Sequence, residues 1–280
     1  MPLGLSDNLF KRVVSALALL PVVLGLVYMG GWWFFSLLAV GGWLMITEWC
    51  QLTGVIEKKG RIWSAIAALF CPAFVTYFGE NQQIAIAVGV ALFSLSLGLV
   101  FSPPTKLSAQ ATTPDSNKNS FVGFSYVGLA LTSLAWLRTQ DDNGLIVIWT
   151  FFVVWAMDVG GYFAGKGIGG PKLAPTLSPK KTWAGLIGGM ILAAVVSLAI
   201  SLIFNLGDPL LMPFAGAAIA IVAQIGDLYE SAIKRAVNKK DSGNLIPGHG
   251  GILDRVDGLV FAAPAVAFAM AVPLLSKVSS

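Results

Sequence analysis

Residues 184–205 read "AGLIGGMILAAVVSLAISLIFN", a run of 22 residues without a single charged side chain. As an α-helix it would extend about 33 Å at 1.5 Å per residue, enough to cross the ~30 Å hydrocarbon core of a bilayer. A helix on the surface of a soluble protein sets a charged stripe opposite its apolar one. This run has none, so it reads as a membrane-spanning helix.

The same pattern recurs outward from this stretch in both directions. Apolar spans fall at roughly 13–29, 31–49, 62–79, 83–101, 121–137, 144–163, 184–205, 209–226 and 257–275. Hydrophobic residues make up 56% of the 280 and charged ones only 11%, against about 25% charged in soluble domains. The mean hydropathy is +0.78. No alternation over about ten residues suggests a β-barrel. The expected fold is therefore an all-α polytopic integral membrane protein with about nine transmembrane helices. The first apolar run lacks a small-residue cleavage pattern and reads as a retained helix.

With Lys11 and Arg12 placed in the cytoplasm, alternating the spans puts 16 of the 18 basic residues inside, leaving Arg138 and Lys277 outside. Positively charged loops favour the cytoplasm, so the N-terminus is expected there. Residues 1–280 read as one membrane-embedded domain: an N-terminal helix group (1–101), a flexible polar loop (102–120, "SPPTKLSAQATTPDSNKNS") and a C-terminal group (121–280). Trp32, Trp33, Trp49, Trp63 and Trp183 lie near span ends, as in an interfacial belt or in ordinary packing. No internal repeat supports an inverted-repeat transporter. Cys50, Cys71 and a lone histidine offer neither a zinc spacing nor a disulfide framework.

The unusual polar sequence is concentrated in three blocks on the expected cytoplasmic face. The first is Ala156–Gly185, "AMDVGGYFAGKGIGGPKLAPTLSPKKTWAG". Asp158 lies within an apolar span, where a carboxylate is costly and functional by default. Gly160–Gly167 nearly matches a P-loop, and Gly165–Gly170 matches the dinucleotide pattern G-x-G-x-x-G. Both motifs need a preceding strand, whereas a membrane helix comes first here, so both are rejected as folds. What survives is a glycine-rich turn beside lysines, Lys172 among them, able to hold phosphate. Ser178-Pro179-Lys180-Lys181-Thr182 is expected to open the next helix, with Ser178 as its cap. Lysines in a first helical turn oppose the macrodipole, a conflict that a bound anion would resolve; ordinary cytoplasmic lysines are the alternative.

The second block is Gln224–Arg235, "QIGDLYESAIKR". As a helix it places Asp227, Glu230, Ser231 and Lys234 on one face. The third is Lys239–Gly258, "KKDSGNLIPGHGGILDRVDG", with a tight turn around His249 and a helix from about Ile252. Asp254 and Asp257 then share a face, and with Asp227 they form a candidate site for a divalent ion. Hard oxygen ligands beside phosphate-binding lysines favour Mg2+. The residues taken alone suggest phosphate transfer at a membrane surface.

Ser231–Asp257 reads S-x-I-K-R-x4-K-D-x-G-x2-I-P-x-H-G-G-I-x-D-R-x-D. This resembles the signature of the phosphatidate cytidylyltransferases, the CDP-diacylglycerol synthases. Asp158, Tyr162 and Gly165 are similar to the family's Asp-x3-Tyr-x2-Gly element, and Ser178–Thr182 to its SPKKT. The likeness is specific over 155–258 and only topological before that. Ala184 departs from it, since many members carry Glu or Gln there.

The resemblance implies a reaction in which CTP and phosphatidate give CDP-diacylglycerol and pyrophosphate. It implies Asp227 and Asp254 as Mg2+ ligands, with Asp257 third or behind them, and leaves a monovalent cation beside Mg2+ open. Lys234, Arg235, Lys240 and Arg255 become candidates for the phosphates of CTP and phosphatidate. Ser231 and Asp241 are further fixed positions. The His249-Gly250-Gly251 turn is expected to meet CTP phosphate, and Lys180, Lys181 and Thr182 either CTP or the lipid headgroup. The implied partners are CTP, phosphatidic acid and the bilayer, with no nucleic acid and a homodimer left open. The implied location is a bacterial inner membrane or an organelle of bacterial ancestry. A CTP-dependent polyprenol or phytol kinase would share the spans and basic loops but not the full signature. A transporter of anionic substrates would spread its polar residues along a path through the membrane. An inactive scaffold would have little reason to keep the acids and lysines.

Overall fold

The computed structural model describes residues 19–53, 70, 72–73, 75, 116–243 and 250–271, with side chains from 122 in the second long segment. The chain there is mostly helical: α1 (Leu19–Met29), α2 (Gly31–Thr53), α3 (Ser116–Arg138), α4 (Leu145–Gly167), α5 (Trp183–Phe204), α6 (Met212–Ala236) and α7 (Leu253–Ala271). Among the described residues, α2, α4, α5 and α6 are long and apolar enough to cross a membrane. The deciding stretch forms α5, as expected. The expected spans 62–79 and 83–101 lie almost wholly outside the described residues. The expected polar loop over 102–120 ends early, because α3 begins at Ser116; its first fourteen positions lie outside the described residues.

One correction concerns the all-α reading. Lys172–Ala174 (β1) and Ser178–Thr182 (β2) pair as an antiparallel hairpin, Lys172 opposite Thr182 and Ala174 opposite Ser178. Ser178 therefore caps no helix. Helix α5 starts at Trp183, and Thr182 is its N-cap, accepting the Gly185 amide at 3.1 Å. The cause is tertiary pairing. Gly169 and Gly170 take φ of +70° and +90°, which glycine adopts without steric cost. They end α4 in a turn that lays Lys172 back alongside the SPKKT segment. Lys180 and Lys181 thus sit on a strand, not in a first helical turn.

The helices meet through small residues. A Cβ on Gly160 of α4 would come within 2.7 Å of the Gly188 carbonyl and 2.9 Å of Gly189 Cα on α5. Close backbone approach of this kind drives helix association where lipid is as apolar as the side chains. Trp149 of α4 adds a buried hydrogen bond to Ser197 of α5 at 2.9 Å. Helix α6 packs on α5, α7 on α6 and α3, and α2 on α3. Trp49 is buried in this packing, its ring 5.2 Å from that of Tyr126, whereas Trp32, Trp33 and Trp183 are exposed as an interfacial belt requires.

Arg138, an exception to the charge bias, is a structural clamp. Its guanidinium donates to the carbonyls of Val27 (2.6 Å), Tyr28 (2.9 Å), Asp141 (2.9 Å) and Asp142 (3.0 Å). Asp141 then caps α4 by accepting the amides of Leu145 (2.7 Å) and Ile146 (3.1 Å). This end of α4 is about 33 Å from its other end, where the polar residues gather.

Candidate active site

The polar blocks meet where the C-terminal halves of α4 and α6, the hairpin and the start of α7 come together. Lys181 on β2 forms an ion pair with Asp227 of α6, which joins the first block to the second. Ser231, one turn on from Asp227, places its hydroxyl 3.5 Å from the Asp227 carboxylate. Two turns on from Asp227, Lys234 donates to Asp254 of α7 at 2.6 Å and lies 3.5 Å from Glu230. The helical spacing read from the sequence thus holds, but each cation turns to a different partner.

Asp254 is the most heavily bonded of the acids. Besides Lys234 it accepts the amides of Ser242 (2.9 Å) and Gly251 (3.0 Å). It sits before the apolar part of α7, near the aqueous end. Burial alone would raise its carboxyl, but the Lys234 ammonium and the two amides outweigh burial and hold it below the usual aspartate range. A carboxylate has about four acceptor sites, so Asp254 keeps little capacity for another ligand. Gly251, expected to offer its amide to a phosphate, gives it to Asp254 here.

Asp158 is exposed, yet it lies within electrostatic range of Asp227, Lys181 and Arg255. Asp257 feels Asp227, Glu230 and Asp158 in the same way, and one of its oxygens accepts the Gly258 amide at 2.8 Å. Glu230 is a member that the sequence placed on the right face but did not assign to the site. It is 1% exposed, and among the described residues its oxygens have no hydrogen-bond partner, only the Lys234 ammonium at 3.5 Å. Five carboxyl groups (Asp158, Asp227, Glu230, Asp254 and Asp257) gather with Lys181, Lys234 and Arg255, so acids outnumber cations in the cluster.

The remaining candidates surround this cluster. Tyr162, Lys172, Lys180, Arg235, Lys240 and Asp241 are exposed at the same end of the bundle, while Ser178 is half-buried on β2. Arg235 donates to the Lys239 carbonyl, four residues on, at 3.2 Å. Gly250 adopts φ of +84° beside Asp254. His249 lies outside the described residues. Among the described residues, no three acidic, histidine or cysteine side chains form a ready-made metal cage.

A sequence model described as the cytidylyltransferase family matches residues 10–272. The chain belongs to that family. Its members are nucleotidyltransferases. Curated relatives extend the likeness. The chain is 35% identical over 262 residues to a phosphatidate cytidylyltransferase of Brucella suis, covering 92% of this chain and 91% of that one. It is 35% identical over 272 residues to one of Pseudomonas aeruginosa, covering 92% and 95%. A Rickettsia typhi enzyme of the same name is 39% identical over 150 residues, 51% of this chain and 66% of its own. As a cytidylyltransferase the chain needs to hold a nucleotide triphosphate beside an acceptor.

Proposed function

We propose that this chain transfers the cytidylyl group of CTP to phosphatidate, giving CDP-diacylglycerol and pyrophosphate. The observation that carries the proposal is the Lys181–Asp227 and Lys234–Asp254 arrangement at the ends of apolar helices in a chain of the cytidylyltransferase family. The names of the relatives support the choice of acceptor.

The chemistry asks little of a nucleophile. A phosphatidate oxygen is already anionic at neutral pH. It forms a bond to the α-phosphorus of CTP, the bond from that phosphorus to the bridging oxygen breaks, and the electron pair leaves with pyrophosphate. Catalysis is then positioning and electrostatics. Lys181 and Lys234 are placed to exchange their carboxylate partners for phosphate oxygens. Arg235, Lys240, Arg255 and His249 are candidates for the same phosphates, and Lys172, Lys180 and Thr182 for CTP or the lipid headgroup. Asp158 and Tyr162 are further candidates for contact with the substrates.

Mg2+ is the cofactor we propose, and the residues fit it. Acids outnumber cations in the cluster, and among the described residues Glu230 presents two buried oxygens without hydrogen bonds. Mg2+ commonly takes one or two carboxylates together with substrate phosphates, so a complete protein cage is not required. Asp227 and Asp257 keep acceptor capacity to hold it, with Glu230 beside them, and Asp254 would bind through its one remaining site. When bound, the ion supplies charge neutralisation for the phosphates and the departing pyrophosphate.

The topology proposed with this function has nine spans, a cytoplasmic N-terminus and a cytoplasmic site in a bacterial inner membrane. One membrane-embedded domain holds both helix groups. The proposal is tested with CTP labelled at the γ-phosphate. Labelled pyrophosphate, formed one for one with CDP-lipid, is the expected product. Unlabelled CDP together with a labelled lipid phosphate would mean a kinase and end the proposal.

A further inference from the structure

Helix α7 begins without a cap of its own. The residues leading into it are Gly250-Gly251-Ile252, and none has the side-chain oxygen that normally accepts the first helical amides. The cap comes instead from Glu48 on α2. Its Oε1 accepts the Ile252 amide and its Oε2 the Leu253 amide, both at 2.9 Å. Oε2 also accepts the Ser242 hydroxyl at 3.2 Å. The carboxylate is 1% exposed, and its charge suits a helix N-terminus.

The fit around it is tight. A Cβ on Gly251 would collide with the Ser242 hydroxyl and come within 2.6 Å of Glu48 Oε2. One on Gly243 would come within 2.9 Å of Glu48 Oε1. Two glycines of the signature are thus the walls of a slot for this side chain. A second tie lies one turn on, where Lys239 donates to the Gln51 carbonyl at 3.0 Å. Trp49, next to Glu48, packs on Tyr126, and Tyr126 packs on Tyr229 of α6 at 5.9 Å.

We propose that Glu48 is a positioning residue of the active site, holding the Ser242–Gly243 and Gly250–Leu253 segments so that Asp254 meets Lys234. Glu48 touches no reacting group. It acts through Ser242 and Gly251, whose amides are both bonded to Asp254. Helix α2 thereby takes part in ordering the site, by holding Ser242, Ile252 and Leu253 in place.

The proposal deepens the proposed function, because it takes the Lys239–Gly251 segment as the one that meets CTP. The test uses Glu48→Gln and Glu48→Ala in the full-length enzyme, assayed well below each variant's melting temperature. Displacing a catalytic group by about 1 Å can cost on the order of a hundredfold. Glu48→Ala is accordingly expected to lose about thirtyfold or more in kcat/KM for CTP, with KM for phosphatidate unchanged. Glu48→Gln keeps one acceptor oxygen and is expected to recover part of the loss. Wild-type kcat and KM in both folded variants would overturn the proposal, whatever happens to their melting temperatures. Should neither variant fold, Ser242→Ala removes one donor and is expected to raise KM for CTP about threefold, in line with loss of one hydrogen bond; no change there would also overturn it. A loss confined to KM for phosphatidate would leave the role of Glu48 standing and refute the assignment of the loop to CTP.

Discussion

Lys234 of α6 and Asp254 of α7 are joined at 2.6 Å across the helix pair that carries the family signature. Lys234 also sits 3.5 Å from Glu230, so one ammonium answers two acids. Both Lys234 and Asp254 are largely buried. Removing one member of a buried pair costs about 3–5 kcal/mol, because the other charge is left uncompensated. Lys234→Met is therefore expected to abolish activity and to lower the melting temperature in detergent. Retention of the wild-type melting temperature would show that the pair is not formed in the working enzyme.

Lys181 ties the hairpin to α6 through Asp227. Its strand is short and its partner lies on another element, so Lys181→Ala should leave the bundle intact. A loss of activity of about a hundredfold or more is expected for a phosphate-positioning group, with little change in melting temperature. The comparison with Lys180→Ala is informative, because Lys180 is exposed on the same strand. Equal losses in the two variants would mean that general positive charge matters there and the Asp227 pairing does not.

Arg138 offers the opposite test. Its clamp on four carbonyls lies at the end of α4 away from the site. Arg138→Ala leaves those carbonyls without their charged donor, at roughly 1.5–3 kcal/mol for a hydrogen bond to a charged group. A lower melting temperature with unchanged kcat/KM below it is expected. A changed KM for CTP would mean that the clamp is coupled to the site.

Gly160 tests the packing between α4 and α5. A side chain there would press on the Gly188 carbonyl. Overpacking of a close contact typically costs 1–3 kcal/mol, so Gly160→Val should destabilise the protein by about that much, read by thermal unfolding in detergent. Wild-type stability would place the two helices further apart than described.

Much of this was legible in the sequence, for local reasons. The apolar runs specify helices because length and lack of charge are sufficient signals. Asp227, Ser231 and Lys234 fall on one face by helical spacing alone, and the signature from Ser231 to Asp257 identifies the family. Ser178 was not legible as strand. Ser-Pro before lysines looks like a helix start, since proline suits the first helical turn, and only the return of Lys172–Ala174 after two glycines overrides it. Glu48 was hidden for a similar reason: its partners lie about two hundred positions away, at Ser242, Ile252 and Leu253. One signal was available. It is the only charged residue in α2, and the reasoning that flagged Asp158 in an apolar span applies to it equally.

The most direct measurement uses purified wild type and Asp254→Asn in detergent with phosphatidate, Mg2+ and CTP labelled at the α-phosphate. Transfer of label to the lipid phase by wild type, with pyrophosphate released and the variant near background, is the expected result. No labelled lipid from a folded wild-type preparation, or full activity in Asp254→Asn, would contradict cytidylyl transfer at this site.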